Sequence, residues 1–170
     1  GKVEDKAQDE ATTGFSADLA GDLAPLFLPE YAEFFGNSIS LVANGQSHAD
    51  GRLDLTQFDV KAKAITLAGA LSLGPDGEPR FFDLKGQIAH EDGGPVLLPL
   101  TTDLPVRVQS AGISARYDKS KDDGWTARAD IQGFDRADFR ASHLMLNGSG
   151  RIGPKQVGAT LRFAAEGLEP

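Results

Sequence analysis

The sequence predicts an all-β fold, namely a curved, half-open or taco-like and largely antiparallel sheet, with a closed β-sandwich as the alternative. Apolar and polar residues alternate in one stretch after another, and clusters of Gly, Pro and Asp separate those stretches. No long segment has helical periodicity. The chain also contains 20 glycines among 170 residues, well above the usual share of about 7%, and glycine is a poor helix former.

The composition limits the possible functions. With 40% hydrophobic residues and a net charge of −8, the chain is expected to fold rather than remain disordered. Its 17 Lys and Arg residues are scattered, whereas binding a phosphate backbone requires clustered cations, so no nucleic-acid partner is expected. The chain lacks cysteine, which excludes thiol nucleophiles and thiolate metal sites.

The N-terminal residues differ from the rest of the chain. Residues 1–13 are rich in charge and lack periodicity, so we expect a charged tail or a ragged first strand there. Residues 14–170 are expected to form a single β domain, in whose first strand Phe15, Ala17 and Leu19 share one face. Because the sequence starts without Met and stops abruptly, we expect it to be a segment of a longer, repeat-like β protein.

One short helix is expected near residues 29–35. Pro29 suits the first helical position, and Gly36 suits a C-terminal stop. So short a helix is stable only when it packs against another element. We expect it to cover one end of the β core, and a ligand-binding aromatic patch is the alternative. The aromatic residues concerned are Tyr31, Phe34 and Phe35.

The alternation changes phase twice in the middle of the chain. Leu53 and Leu55 occupy one phase, residues 58–62 the opposite phase, and residues 65–73 the first phase again. A slip of one residue exchanges the two faces of a strand, so each change requires a bulge or a turn.

Turn signals separate the strands. GPDGEP at 74–79 predicts a hairpin, and HEDGGP at 90–95 predicts a further turn. The prolines in VLLPL at 96–100 favour an edge strand or a crossover. DKSKDDG at 118–124 predicts a loop, and alternation resumes after it from Trp125.

No constellation of catalytic or metal-binding residues is evident. His48, His90 and His143 lie far apart, and no nucleophile elbow or phosphate-binding loop occurs. We therefore expect no enzyme activity, no cofactor and no metal site. A hydrolase or carbohydrate-binding domain is a further alternative, disfavoured because no convergent polar pocket can be traced.

A leucine, one further residue and a glycine recur in ITLAG, FDLKG, LMLNG and ADLAG. The leucine and the glycine share one face of a strand, and a glycine there lets the sheet bend and lets a ligand chain approach closely. We expect this face to form an apolar groove or a core surface. Its predicted residues are Leu67, Leu71, Leu73, Phe82, Leu84, Ile88, Leu144 and Leu146. The predicted sheet-bending glycines are Gly21, Gly69, Gly86 and Gly148.

Several stretches resemble an internal region of a known family. They are LAGDLAPLFLPEYAEFFG, DGGPVLLPL, DGWTARADIQGFDRADF, LNGSGRI and the terminal FAAEGLEP. Together they look like the alphaproteobacterial form of the TamB family, the translocation and assembly module subunits of the AsmA-like group. The resemblance runs from about Phe15 to the C-terminus and includes no catalytic residue.

The resemblance implies a non-enzymatic segment of a periplasmic protein whose inner-membrane anchor lies elsewhere in the parent chain. It implies a β-taco with an apolar groove that supports outer-membrane protein assembly, phospholipid transport, or both. The implied partners are phospholipid acyl chains, neighbouring β segments of the parent chain and, through other regions of the parent, an outer-membrane barrel. The alternative is a closed β spacer or protein-binding module without lipid contact.

Overall fold

A computed structural model describes residues 12–21, 32–100, 102–153 and 159–169. Within these ranges the chain forms eleven strands and one short helix, so the all-β prediction is confirmed. The elements are β1 (Thr12–Gly21), α1 (Ala32–Phe35), β2 (Ile39–His48), β3 (Leu53–Lys61), β4 (Ile65–Leu73), β5 (Pro79–Ala89), β6 (Val96–Leu97), β7 (Val106–Val108), β8 (Ser110–Asp118), β9 (Gly124–Arg136), β10 (Phe139–Arg151) and β11 (Ala159–Glu166).

All the strands belong to one antiparallel sheet. Its main path runs β1-β2-β3-β4-β5-β8-β9-β10-β11, while β6 pairs with β7 and β7 pairs with the far end of β9. Within the described residues β1 and β11 each pair on one side only, so the sheet is not closed. The predicted open antiparallel sheet is therefore confirmed, and a closed sandwich does not form.

The strand register places apolar residues in four transverse rows on one side of the sheet, called the apolar face below. Row 1 contains Ile65, Ile88, Ala111, Ile131, Leu144 and Ala165. Row 2 contains Leu19, Leu41, Val60, Leu67, Gly86, Ile113, Ala129, Leu146 and Phe163. Row 3 contains Ala17, Ala43, Phe58, Gly69, Leu84, Ala115, Ala127, Gly148 and Leu161. Row 4 contains Phe15, Gly45, Leu55, Leu71, Phe82, Tyr117, Trp125, Gly150 and Ala159.

Both predicted phase changes have a structural cause. The first is a β-bulge, because the register of β3 against β4 shifts between Leu55 and Phe58. The second is the turn between β3 and β4, where the Ala62 N–H donates to the Ile65 carbonyl at 2.9 Å. Both changes therefore keep the apolar residues of β3 and β4 on the same face.

The predicted turns are present. In the first, the Gly77 N–H donates to the Gly74 carbonyl at 2.9 Å, and Gly77 has a φ of 80°. In the second, the Gly93 N–H donates to the His90 carbonyl at 3.0 Å, and Gly93 has a φ of 75°. Residues 96–100, predicted as an edge or crossover, contain β6, which lies off the main path of the sheet.

The hydrophobic core lies at one end of the apolar face. Phe34 of α1, Val96 of β6 and Val108 of β7 are buried together with most of row 1. Their exposed fractions are 4%, 0% and 0%. The segment formed by α1, β6 and β7, called the cap below, therefore closes the row 1 end of the face.

The short helix is fixed to the sheet by its own backbone. The carbonyls of Phe34 and Phe35 accept hydrogen bonds from the N–H groups of Ala64 and Lys63, at 3.0 and 3.2 Å. These bonds satisfy carbonyls that a helix end leaves without an intrahelical partner. Gly36, with a φ of 72°, ends the helix as predicted. The predicted start at residues 29–31 lies outside the described residues.

On the opposite, polar face, hydrogen bonds join the first three strands. His48 Nε2 donates to Asp54 Oδ2 at 2.8 Å, because an ionised carboxylate only accepts. In the neutral ring His48 Nδ1 then accepts from the Thr12 hydroxyl, at 3.1 Å. The network connects the edge strand β1 to β2 and β3.

We expect part of the acid sensitivity of the fold to come from Asp54. The hydrogen bond from His48, followed by one from Ser72, lowers the pKa of this carboxyl below its usual value of 3.8. A carboxyl with a depressed folded pKa contributes stability above its unfolded pKa and loses that contribution as the pH falls through the folded value. The Tm of Asp54→Asn should therefore fall less between neutral and acidic pH than the Tm of the unchanged chain. An identical acid-induced loss in both proteins, measured by calorimetry, would contradict this.

Candidate functional site

Beyond the cap, the apolar face forms an open cavity of about 520 Å³, called the apolar groove below. It follows rows 2 and 3 from β4 to β11. Ten of its twelve lining residues are apolar, and the register places the other two, Ser114 and Arg128, on the polar face. The apolar lining residues are Leu67, Leu84, Ile113, Ala115, Trp125, Ala127, Ala129, Leu146, Gly148 and Leu161. Its volume is within the range of about 300–1,000 Å³ that is usual for ligand pockets.

All eight predicted face residues lie on the apolar face, but in three different environments. Those that line the groove are Leu67, Leu84 and Leu146. Those buried in the core beneath the cap are Ile88 and Leu144. Those half-buried toward the β4–β5 turn are Leu71, Leu73 and Phe82.

Two of the predicted glycines make room for large side chains of neighbouring strands. A Cβ added to Gly86 would lie 2.9 Å from Cγ1 of Ile113. A Cβ added to Gly148 would lie 3.4 Å from the ring of Trp125. At these two positions glycine therefore leaves the space that the Ile113 and Trp125 side chains occupy, and both side chains line the groove.

The other two predicted glycines differ from each other. Gly69 has a φ of 155°, and an added Cβ would collide with the backbone carbonyl of Asp83. It pairs with Phe58, next to the bulge in β3, so the irregular backbone there requires glycine. Among the described residues, an added Cβ on Gly21 meets nothing within 4 Å, so no close approach by that part of the chain requires a glycine there.

The walls contributed by β8, β9 and β11 were missed by the sequence prediction. The residues concerned are Ile113, Ala115, Trp125, Ala127, Ala129 and Leu161. The available signal was the alternation in GISARY and WTARADI, whose alanines point to the same side as the larger residues. Alanine makes this part of the groove wide, because a small side chain leaves the space above the sheet unfilled.

Large apolar side chains are also exposed on both edge strands. Leu161 and Phe163 of β11 are 66% and 71% exposed, and Leu19 of β1 is 61% exposed. They belong to rows 2 and 3, so the apolar face extends to both free edges without a polar boundary. Such edges suit the addition of a further strand.

Row 4 forms an aromatic margin on the side of the groove opposite the cap. The rings of Phe82 and Tyr117 are 5.5 Å apart, and the register places Trp125 next to Tyr117. Burial raises the pKa of the Tyr117 hydroxyl, and the carboxylates of Asp123 and Glu78 add to the effect. Tyr117 is therefore neutral at physiological pH, and the margin carries no charge of its own.

No group of His, Asp and Glu side chains among the described residues is placed to hold a metal ion. In the same part of the chain, no helix combines the length and hydropathy needed to cross a membrane. Comparison with family models, curated proteins and solved structures gives no match. The geometry of the apolar face is therefore the basis for a proposed function.

Proposed function

We propose that this chain is a non-enzymatic segment of a longer, TamB-like periplasmic protein, and that its groove holds the acyl chains of phospholipids. The parent would be anchored in the inner membrane through another region and would support phospholipid transport, outer-membrane protein assembly, or both. The observation that carries the proposal is the open apolar groove, which crosses six strands from β4 to β11 and lies beside the core that the cap covers.

The dimensions of the groove suit an acyl chain. Six adjacent strands are separated by five intervals of about 4.8 Å, so the groove extends for roughly 24 Å across the sheet. One leaflet of a bilayer contributes roughly 15 Å of hydrocarbon, which is half of the usual core thickness. An extended chain of that length therefore fits along rows 2 and 3.

The walls of the groove support holding rather than chemical conversion. Each methylene that leaves water contributes about 0.8 kcal/mol, so an apolar surface alone can retain a lipid without a fixed polar anchor. The ten apolar lining residues bring no carboxylate, imidazole or amine into the groove. A surface of this kind suits a ligand that has to slide.

The partners follow from the same face. Acyl chains would occupy rows 2 and 3, and neighbouring β segments of the parent would add to the free edges of β1 and β11. Contact with an outer-membrane barrel is assigned to other regions of the parent. Nucleic acid is not among the proposed partners, because the net charge of −8 opposes it.

A spacer or protein-binding role without lipid contact is the second candidate. The exposed Leu161 and Phe163 on the free edge of β11 favour it, since an extended peptide could pair with that edge and cover both side chains. In that case the groove would be covered by protein rather than by lipid.

Native mass spectrometry with lipid extraction, on protein purified from a bacterial periplasm, tests the first candidate. We expect bound phospholipid on the unchanged chain and an occupancy at least tenfold lower for Leu67→Asp, because a carboxylate in the groove loses its hydration when a chain binds. The matched control is Ala68→Asp, which adds the same charge to the opposite face of the same strand, because successive side chains of β4 alternate. It should retain the lipid.

A second variant separates lipid loss from unfolding. Ala127→Phe fills the groove with an apolar ring and adds a residue that favours strands. We expect it to remain folded by circular dichroism and to exclude lipid. Lipid-free unchanged protein, or equal occupancy in Leu67→Asp and Ala68→Asp, would overturn the acyl-chain proposal in favour of the second candidate.

A further inference from the structure

The polar face carries a second concave site, formed by β8, β9, β10 and β11. It encloses about 560 Å³ directly behind the groove, and four residues line both cavities, namely Ser114, Ala127, Arg128 and Gly148. Three arginines line it, and none of its described lining residues is Asp or Glu. The residues that define this arginine site are Ser114, Arg116, Thr126, Arg128, Asn147, Ser149, Thr160 and Arg162.

The strand register places the three arginines near one another on the polar face. Asn147 pairs with Arg128 on one side and with Arg162 on the other, so the two arginines lie two strands apart. That separation is about 10 Å between backbones, which two long side chains can close above Asn147. Arg116 pairs with Thr126, and Thr126 lies two residues before Arg128 on the same face of β9.

The neighbouring carboxylates do not neutralise the site completely. Arg116 Nη2 lies 3.4 Å from Asp83, and Arg128 Nε lies 3.0 Å from Asp130, but neither carboxylate lines the cavity. Among the described residues, Arg162 has no ion-pair partner. Two carboxylates therefore oppose three guanidinium groups, so one positive charge remains in excess in a chain of net charge −8.

We infer that the arginine site binds a phosphate group. Guanidinium groups match the oxygens of a phosphate in a planar, forked geometry, and an excess positive charge in a concave wall attracts an anion. The hydroxyl groups of Thr126, Ser149 and Thr160 and the Asn147 amide are further donors on the same wall. The phosphate comes either from solution or from a lipid headgroup, and both present the same oxygens.

Amide chemical shifts of the ¹⁵N-labelled protein test the inference in two titrations. The first uses inorganic phosphate, with sodium chloride of equal ionic strength as the reference. The second uses dihexanoylphosphatidylglycerol below its micelle concentration. We expect a saturable shift at Thr126, Asn147 and Ser149 in at least one titration and none with chloride.

Two charge-neutralising variants locate the site. Arg162→Gln is expected to raise the Kd about tenfold, the factor expected for one charge-assisted hydrogen bond. Arg116→Gln should also raise the Kd. The matched control is Arg140→Gln, which removes the same charge from β10 at the far end of that strand, where Arg140 Nε lies 3.1 Å from Asp135.

Each outcome has a defined meaning. Shifts with inorganic phosphate alone support a free phosphate ligand, shifts with the lipid alone support a headgroup, and shifts with both support the phosphate group as such. The absence of a saturable shift in both titrations, or an equal effect of Arg140→Gln and Arg162→Gln, would overturn the inference. Inorganic phosphate carries no acyl chain, so its binding is independent of the proposed lipid groove.

Discussion

Phe34→Ala is expected to lower the free energy of unfolding by about 3–5 kcal/mol, the usual loss for truncating a buried phenylalanine. Phe34 is only 4% exposed, and its ring packs edge-to-face on Phe35 at 5.0 Å. Truncation leaves a cavity between the cap and row 1, because Ala64 in the β3–β4 turn and Ile88 in β5 are both held by backbone hydrogen bonds and cannot close the gap. Denaturant titration followed by circular dichroism gives the change.

Phe163→Ala is the matched control for this loss. It removes the same atoms from β11, where the side chain is 71% exposed, so stability should change by about 0.5 kcal/mol or less. Similar midpoints for the two variants would mean that the cap does not hold the end of the sheet. An unchanged denaturant slope for Phe34→Ala would show that the change lies in stability rather than in the compactness of the denatured state.

Gly69→Ala is expected to cost about 3 kcal/mol or more, although it adds a single methyl group. The added Cβ would collide with the backbone carbonyl of Asp83, and a φ of 155° is strained for an alanine. A backbone atom in a central sheet cannot rotate away, so the strands β4 and β5 would have to separate locally. The Tm from calorimetry should fall correspondingly.

Gly21→Ala provides the same chemical change without the collision. No described residue lies within 4 Å of the added Cβ, and replacing glycine restricts the unfolded chain, so stability should remain equal or rise by about 0.5 kcal/mol. If both alanine variants melted at the same temperature, the bulge opposite Gly69 would not require a glycine.

The fold was largely predictable, because the relevant signals are local. The alternation of apolar and polar residues located the strands. The phase change between Leu55 and Phe58 predicted a bulge, and the register of β3 against β4 shifts at that place. The extent of the core was harder to predict from the sequence. Val96 is completely buried, although the prolines of its segment indicated only an edge or crossover. Its burial depends on α1 and β7, which approach it through tertiary packing.

The sequence predicted the two candidate sites to different degrees. The leucine-x-glycine repeats identified Leu67, Leu84 and Leu146 of the groove, since a large apolar residue on a strand face is a visible signal. The alanines of β8 and β9 gave a weaker one. The arginine site left no trace in the sequence, because Arg116, Arg128 and Arg162 look scattered until the register sets their strands side by side.

The strand count has a consequence for symmetry. Among the described residues, nine strands lie on the main path and every neighbouring pair is antiparallel, so eight reversals leave β1 and β11 pointing the same way. A copy of the sheet generated by pure translation would therefore set β11 beside β1 in a parallel junction. A two-fold rotation would instead set either edge strand antiparallel to its own copy. A fully antiparallel array that grows by translation needs a repeat with an even number of strands. One further strand between successive units would make the repeat even and every junction antiparallel.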